Sequence, residues 1–308
     1  MPSCCVVNVG HGNSAVLRGD TGVVVVDAGP GARLLDFLRS QQITRVDHLL
    51  VSHADADHLR GAMSLLALVR NNEGFELLNI HVNPDSRDTR TWDDFVHDAA
   101  ALHHDGRTNL SDSIGQGKPE RLELGGLQVE VIAPEIGRRL RAVGGVAAVG
   151  NGVKRKQTAN TLSAVVVARS DSGWAVLLPG DLDEDGLGSI FAQDLNLRCE
   201  VVVFPHHGGL SGAGNIADFS DKLLDATQAK HVVFSNGNGR AEFPNAIVIE
   251  RCLARETSLQ VLSIGSSPTL HERLGGSNGT HRNDSGTLKI EWRASCETRK
   301  SGRLSRCK

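Results

Sequence analysis

The stretch that most constrains the fold is residues 46–58, where an apolar run ends in a group of polar side chains. Residues 46–51 read VDHLLV, which predicts a buried strand, and His53, Asp55, Asp57 and His58 follow it directly. In layered α/β proteins, binding sites form where strands end and loops begin. Four possible ligands behind an apolar strand predict a metal site, and a solvated acidic turn is the alternative.

The residue types in this loop favour a centre with two cation positions. Imidazole nitrogens suit zinc, copper, nickel or iron, whereas carboxylate oxygens also suit manganese and magnesium. In an extended loop, His53, Asp55 and Asp57 would share one side and His58 would turn to the other. Such a loop can hold two neighbouring cations, as two-metal hydrolases require.

Two distant segments also carry possible ligands at the ends of apolar runs. Asp181 follows residues 174–178, where a carboxylate could bridge two cations; a helix N-cap is the alternative, because residues 183–185 are acidic. His206 and His207 follow another apolar run and are poor core residues, since two buried imidazoles need polar partners. We expect His206 to be a metal ligand and His207 to act on a phosphate or leaving group.

These motifs, in this order, resemble those of the metallo-β-lactamase superfamily. The loop at 53–58, the Gly-Asp at 180–181 and the His-His-Gly at 206–208 look like its metal-binding elements, and residues 7–15 look like its opening strand and turn. The Asp-rich loop is typical of the C-terminal hydrolase domain of ComEC-type DNA-uptake proteins. The likeness covers about residues 4–292. It implies a four-layer αββα sandwich, in which two mixed sheets face each other with helices outside.

The resemblance also implies roles for individual residues. Asp27 would orient the metal loop through hydrogen bonds, as outer-shell groups do, and Asn160, which stands where many members carry a further His, would also support the ligands. Asp57 would position water or protonate the leaving group, with His206 or His207 assisting. The implied cofactor is a divalent metal, two ions of zinc or manganese, with magnesium possible. Its implied ligands are His53, Asp55, Asp57, His58, Asp181 and His206.

Two positions depart from the family pattern. Phe243 stands where ComEC-type domains have a His, so one ligand or acid–base group is missing, and Glu242 or His281 could replace it. The second metal position would then be weak, or the reaction would use one tightly held ion. The resemblance places the turn at residues 10–13 near the mouth of the site, and a plain β-turn explains this segment equally well. His11 stands where Gln is common, which argues against a direct role.

The order of the motifs predicts one hydrolase domain over residues 1–292. It contains a polar insertion at about 83–126, expected to lie over the site, and a basic loop at about 144–158. A basic tail at 293–308 is expected to be disordered and to add non-specific affinity for nucleic acid. In the basic loop, Lys154, Arg155 and Lys156 could attract a polyanionic substrate, and a solvated surface loop is the alternative.

Composition adds limits to this interpretation. A net charge of −3 does not single out a DNA-binding protein, and the six cysteines show no Cys-x-x-Cys pair, which favours reduced thiols and a cytoplasmic location. The sequence shows no apolar stretch of membrane-spanning length and no signal peptide. We therefore expect a stand-alone hydrolase without the channel of full-length ComEC.

Three functions remain open at this level. The first hypothesis is a metal-dependent phosphodiesterase, most plausibly a nuclease acting on DNA through a metal-activated water. The second is a hydrolase of a small ester, thioester, lactone or β-lactam, because one fold hosts many reactions. The third is a non-catalytic subunit of a larger complex that retained the fold and lost a ligand at Phe243. Protein partners are unknown from the sequence.

Overall fold

The structure is a computed structural model that describes residues 1–148, 153–209, 214–237, 243–255, 259–274, 286–292 and 302–307. Glu242 and His281, the two candidates to replace the missing His, lie outside the described residues. So do residues 149–152 of the basic loop and residues 293–301 of the basic tail.

The first sheet contains the strand that leads into the metal loop. Its eight described strands lie in the order β17-β16-β1-β2-β3-β4-β5-β6, with parallel pairing from β3 to β6 and antiparallel pairing elsewhere. Valine-rich stretches form its centre, since β-branched side chains pack well in a pleated sheet. The strands are β1 (Ser3–Val6), β2 (Ala15–Arg18), β3 (Val23–Val26), β4 (Arg45–Leu50), β5 (Glu76–His81), β6 (Asn109–Ser111), β16 (Leu288–Trp292) and β17 (Gly302–Arg306).

The second sheet contains the strands that precede Asp181 and the two adjacent histidines. Its seven described strands lie in the order β15-β14-β13-β12-β11-β8-β7, parallel from β12 to β15 and antiparallel from β12 to β7. A separate hairpin joins β9 (Val146–Ala148) to β10 (Lys154–Lys156). The sheet strands are β7 (Leu122–Glu123), β8 (Leu127–Ala133), β11 (Val165–Ser170), β12 (Ala175–Leu178), β13 (Val201–Val203), β14 (His231–Phe234) and β15 (Gln260–Ser263).

Helices cover the outer face of each sheet. One apolar cluster lies between the sheets, a second lies beneath the helices that follow β3, β4 and β5, and a third lies beneath the helices that follow β12, β13, β14 and β15. The described helices are α1 (Arg33–Ser40), α2 (Ala56–Leu59), α3 (Ala62–Arg70), α4 (Arg90–His104), α5 (Ile136–Arg141), α6 (Glu184–Ala192), α7 (Ile216–Thr227), α8 (Ala246–Leu253) and α9 (Pro268–Leu274).

This arrangement confirms the predicted αββα sandwich. Both sheets are mixed, and the apolar layer between them is made mostly of Val, Leu, Ile and Ala. Among the helices of the described residues, none is both long and apolar enough to cross a bilayer. The domain boundaries themselves stay a prediction.

Two segments outside the metal-binding motifs form regular structure, and only the first of them was expected to be disordered. Residues 302–306, expected to be disordered, form the edge strand β17, because Leu304 packs on the layer between the sheets opposite Ile290. The polar insertion is largely structured, since Trp92, Phe95 and Leu102 of α4 are buried beneath the first sheet.

Candidate metal centre

Three buried side chains from two segments form what we call the first donor set. His53 and His58 follow β4, and Asp181 follows β12. His58 Nε2 lies 3.0 Å from Asp181 Oδ1, and His53 Nε2 lies 3.8 Å from Asp181 Oδ2. One ligand atom from each residue lies within 4.8 Å of the others. The carboxyl ends of strands in the two facing sheets thus meet at one point.

The first donor set fits a divalent cation by its unsatisfied atoms. His53 Nε2, His58 Nε2 and Asp181 Oδ1 are buried and make no hydrogen bond of good geometry within the described chain. Burying such atoms without partners is costly, and natural proteins rarely leave them so. Two imidazole nitrogens and a carboxylate oxygen facing a common point are a donor set that zinc or manganese accepts.

Asp27 holds the other side of the metal loop. Its Oδ1 accepts a hydrogen bond from the Ser52 backbone N–H at 2.7 Å, and its Oδ2 lies 2.8 Å from both Ser52 Oγ and His58 Nδ1. A carboxylate at Nδ1 makes that nitrogen the protonated one, which leaves Nε2 free to bind a cation. This is the geometry expected of the supporting role assigned to Asp27.

The carboxylates around His58 change its pKa. Burial disfavours the charged imidazolium, yet the charges of Asp181 and Asp27 outweigh burial and raise the pKa of His58 well above its ordinary value. Burial also opposes ionisation of Asp181, and the charge of His58 with the hydrogen bond of His206 lowers its pKa well below the usual range. A positive charge is therefore stabilised at this point of the site.

A second donor set lies beside the first and is more exposed. It consists of His11, Asp57 and His207, again with one ligand atom from each within 4.8 Å of the others. Asp57 Oδ2 lies 3.1 Å from His207 Nε2 and 3.8 Å from His11 Nε2. Burial opposes ionisation of Asp57, and the His207 hydrogen bond and His58 charge lower its pKa below the usual range.

His206 and His207 point to different carboxylates because of their backbone conformation. They lie in a 3-10 turn after β13 with φ values of +50° and +56°. Non-glycine residues with positive φ are uncommon and persist where the surroundings hold them. The turn directs His206 Nδ1 to Asp181 Oδ2 at 2.9 Å and His207 Nε2 towards Asp57, so each imidazole serves a different carboxylate.

His206 lies at the edge of the first donor set. Its side chain is 28% exposed, and its hydrogen bond with Asp181 raises its pKa above the ordinary value. Asn160 Nδ2 lies 3.4 Å from the same ring, so the predicted supporting residue does reach the site. His207 is almost completely buried and belongs to the second donor set. This geometry favours His207 as the ligand, the reverse of the sequence-based preference.

The N-cap of α6 is Asp183 and not Asp181. Asp183 caps α6, accepting a hydrogen bond from the Gly186 N–H at 2.8 Å, which leaves the Asp181 side chain to the donor set. Gly180 has a φ of +57°, and a Cβ there would lie 2.3 Å from Ser163 Oγ. Only glycine lets the backbone approach this closely, and it delivers Asp181 into the space between the sheets.

Asp55 lies between the first donor set and an arginine of the polar insertion, with its Oδ2 3.5 Å from His53 Nε2 and its Oδ1 bound by Arg87. Arg87 donates from Nη1 to Asp55 and from Nη2 to Asp85, the latter at 3.1 Å. Burial disfavours the charged form of Asp55, but hydrogen bonds and charges of His53 and Arg87 lower its pKa to about 2. The insertion thus reaches the site through Arg87, which brings a positive charge to the metal loop.

The basic residues of the β9–β10 hairpin lie on the surface. Lys154, Arg155 and Lys156 are exposed, and Arg155 pairs with Asp185 at 3.0 Å. The hairpin leads through Thr158, which donates to Asp183, towards Asn160. No described contact joins these cations to the two donor sets, and substrate binding by them stays a prediction.

Two expectations about the loop and its neighbours need correction. The loop is not extended: Asp57 and His58 lie in the short helix α2, so His53 and His58 converge, with ring centroids 4.1 Å apart, and Asp57 faces the other set. His11, expected to have no direct role, lies at the site beside Asp57. The signal that could have identified it is an imidazole within a Gly-His-Gly turn that follows an apolar strand.

Comparisons with known proteins agree with this geometry. The family model described as "Metallo-beta-lactamase superfamily" matches residues 7–127. ComE operon protein 3 of Bacillus subtilis (strain 168) is 25% identical over 248 residues, which are 80% of this chain but 27% of that protein, so the chain spans about a quarter of that relative. The metallo-beta-lactamase fold protein YhfI from Bacillus subtilis aligns with a TM-score of 0.51 at 12% identity, covering 85% of this chain and 96% of YhfI. Tm1679, described as a metal-dependent hydrolase of the beta-lactamase superfamily, aligns with a TM-score of 0.50 at 18% identity and the same coverages.

Proposed function

We propose that this chain, which has the metallo-β-lactamase fold and matches that superfamily's model over residues 7–127, is a metal-dependent phosphodiesterase that cuts DNA. The observation that carries the proposal is the first donor set, whose buried nitrogen and oxygen atoms face one point without hydrogen-bond partners in the described chain. DNA as substrate rests on the ComEC-type character of the motifs.

The metal-binding roles follow from the two donor sets. His53, His58 and Asp181 hold the first cation, and Asp57 with His207 holds the second. When bound, divalent cations lower the pKa of a water molecule and stabilise charge that develops on a phosphoryl group. Asp27 and Asn160 orient the metal ligands from the side away from the cations. Asp55 becomes a further ligand when its ion pair with Arg87 is broken.

Two partly exposed side chains are suited to orient the attacking water and to donate a proton to the leaving group. Asp57 is 28% exposed, and its carboxylate accepts a hydrogen bond from the attacking water, which orients the water towards phosphorus. His206 is also 28% exposed, and the hydrogen bond between its Nδ1 and Asp181 Oδ2 raises the pKa of His206 above its ordinary value, which favours the protonated form. His206 is therefore the group that donates a proton to the leaving oxygen.

Arg87 is the cation best suited to a phosphate at the mouth of the site. Its guanidinium is 23% exposed and already binds a carboxylate that belongs to the metal loop. A planar guanidinium binds carboxylate and phosphate oxygens with the same bidentate geometry. A phosphodiester can therefore exchange with Asp55 at Arg87, which a neutral ester or lactone cannot do as well.

The direct test is cleavage of DNA by the purified protein with added Mn²⁺ or Zn²⁺. We expect wild type to cut and Asp57→Ala to lose activity, while the matched control His104→Gln, a change of an exposed histidine on α4, keeps it. A parallel panel of small esters, thioesters and lactones tests the alternative function. A wild type inert towards DNA with every metal would contradict the proposal, and so would faster hydrolysis of the ester panel.

A second test addresses the predicted substrate-binding residues. Lys154→Gln and Lys156→Gln each remove an exposed cation, whereas Arg155→Gln removes one that is already paired with Asp185. We expect each lysine change to weaken DNA binding uniformly across sequences and to lower the slope of log affinity against log salt by about 1. An unchanged slope in both lysine variants would remove the hairpin from the binding surface.

A further inference from the structure

The second donor set contains an imidazole that the family resemblance does not supply. His11 lies in the turn between β1 and β2, with its Nε2 3.8 Å from Asp57 Oδ2. Its ring centroid lies 4.5 Å from that of His207, whose Nε2 approaches the same carboxylate oxygen at 3.1 Å. Three ligand atoms from three separate segments thus surround one small volume.

Phe243 forms the wall next to this volume. Its ring centroid lies 5.3 Å from that of His11 and 6.2 Å from those of His206 and His207. A phenyl ring has no lone pair to offer a cation. Its position is fixed by packing, since a Cβ on Gly209 would lie 2.3 Å from the Phe243 ring. Phe243 therefore encloses the second donor set on one side without contributing a ligand.

The turn that carries His11 is anchored on the metal loop. The Asn13 N–H donates to the Asp57 carbonyl at 3.2 Å, and Ser235 Oγ donates to the Gly12 carbonyl at 2.7 Å. Gly12 has a φ of +140°, and a Cβ there would lie 2.4 Å from the Asp57 carbonyl oxygen. The His11 backbone is therefore held against α2 and β14, and its side chain needs little ordering to bind a cation.

Ser235, which follows β14, also orients the imidazole of His207. His207 Nδ1 donates to the Ser235 carbonyl oxygen at 2.6 Å. A backbone carbonyl at Nδ1 fixes the tautomer in which Nε2 carries the lone pair, and that nitrogen is the one that faces Asp57. Ser235 thus orients His207 through its carbonyl group and the His11 turn through its hydroxyl group.

We propose that His11 is a ligand of the second cation, together with Asp57 and His207, and supplies the imidazole that the side chain at Phe243 does not. This inference rests on the proposed two-cation hydrolase. The centre is then complete within the described residues, and no ligand from the segments beyond them is required. A divalent cation with imidazole preference, such as Zn²⁺, is the ligand class this donor set selects.

The test measures metal stoichiometry and affinity rather than activity. Metal-free wild type, His11→Gln, the double variant His11→Gln/Phe243→His and the control His104→Gln are titrated with Zn²⁺ by calorimetry, with metal content checked after dialysis. We expect two sites in wild type and in the control. His11→Gln should keep the tighter site and lose at least about 10-fold in affinity at the weaker one, the lower bound for outer-shell residues.

The double variant separates a ligand from a structural residue. A histidine at 243 faces the same volume, so we expect it to restore the second site in the His11→Gln background. If His11→Gln keeps two unchanged metal sites, His11 is not a ligand, although the two-cation function still stands. The same conclusion follows if a folded double variant does not recover the second site. A wild type that binds a single cation would overturn this role and the two-cation function together. Thermal unfolding in the metal-free state checks that each variant is folded.

Discussion

Two pairs of histidines lie on or next to β4, one pair buried and the other half-buried, and the side chains around them differ. His53 and His58 follow β4 and meet the carboxylates of Asp27 and Asp181. His48 lies within β4, five positions before His53, and its Nδ1 lies 3.0 Å from Nε2 of His81 at the end of β5. The first pair lies at the carboxyl end of the sheet among acids, whereas the second pair mainly contacts itself.

The pKa values separate the two pairs. Burial lowers the pKa of His81 to about 4, helped by the charge of His48, and burial also lowers the pKa of His48. Burial acts on His58 too, but two carboxylates reverse its effect and raise the pKa. A buried histidine is therefore no indicator of function by itself. The indicator is the carboxylate that shares its pocket, since it stabilises any positive charge there.

Removing Asp181, the carboxylate that His53 and His58 share, should reduce the difference between the pairs more than any other single change. Asp181→Asn replaces the carboxylate of the first donor set with a neutral amide, while Asp27 stays beside His58 Nδ1. We expect a loss of cation affinity beyond the roughly 100-fold limit for outer-shell residues, with loss of DNA cleavage. Competition with a chromogenic chelator measures it. Wild-type affinity in Asp181→Asn would show that this carboxylate is not a ligand.

Removing the Asp27 carboxylate, which contacts His58 Nδ1, should lower cation affinity by less than removing Asp181. Asp27→Asn keeps the shape of the side chain, and asparagine tolerates the φ of +59° found at this position. We expect a loss of about 10- to 100-fold in cation affinity. The matched control is Asp47→Asn, because Asp47 also accepts a backbone N–H, from Val23, but lies beside the other pair. Equal effects of both changes would refute a special role for Asp27.

The sequence predicted the architecture of this site better than its details. Apolar runs followed by His-x-Asp-x-Asp-His, Gly-Asp and His-His identify strand ends, and strand ends on facing sheets converge. This reasoning correctly brought His58, Asp181 and His207 together. This reasoning needs only local sequence patterns and the layer arrangement, and both follow from the order of residues along the chain.

The errors have a common physical cause, which is contact between segments distant in the chain. Whether loop residues 56–59 are helical decides which ligand faces which partner, and tertiary packing overrides the alternation assumed for an extended loop. Arg87 reaches Asp55 across 32 residues, and His11 meets His207 across the sandwich. No spacing rule encodes such pairs. The strand at 302–306 was missed because its basic residues obscure the single inward Leu304.

The pH dependence of stability should carry opposite signs for the two pairs. In the metal-free protein, the raised pKa of His58 adds stability that is present below pH 6.5 and lost as pH rises through the folded value. The folded pKa of His81, about 4, adds stability that is present above pH 6.5 and lost as pH falls towards 4. We expect the free energy of unfolding to fall by about 1–3 kcal/mol on this acid side.

Urea denaturation of chelator-treated protein between pH 4 and 9 measures both limbs. His81→Asn should flatten the acid limb and leave the alkaline limb, whereas His58→Asn should flatten the alkaline limb and leave the acid one. A change in the same limb for both variants would mean that the pairs do not differ in the manner described.

The smallest effect is expected where the His48–His81 pair is disrupted. His48→Asn removes one imidazole hydrogen bond, the 3.0 Å contact with His81, and should lower the free energy of unfolding by about 1 kcal/mol. Cation affinity should stay at the wild-type value, because neither donor set contains this residue. Calorimetric titration with Zn²⁺ and urea denaturation of the same preparation give both quantities. A fall in cation affinity comparable to that of Asp27→Asn would mean that the two pairs are coupled along β4, so that the carboxylates alone do not account for the difference between them.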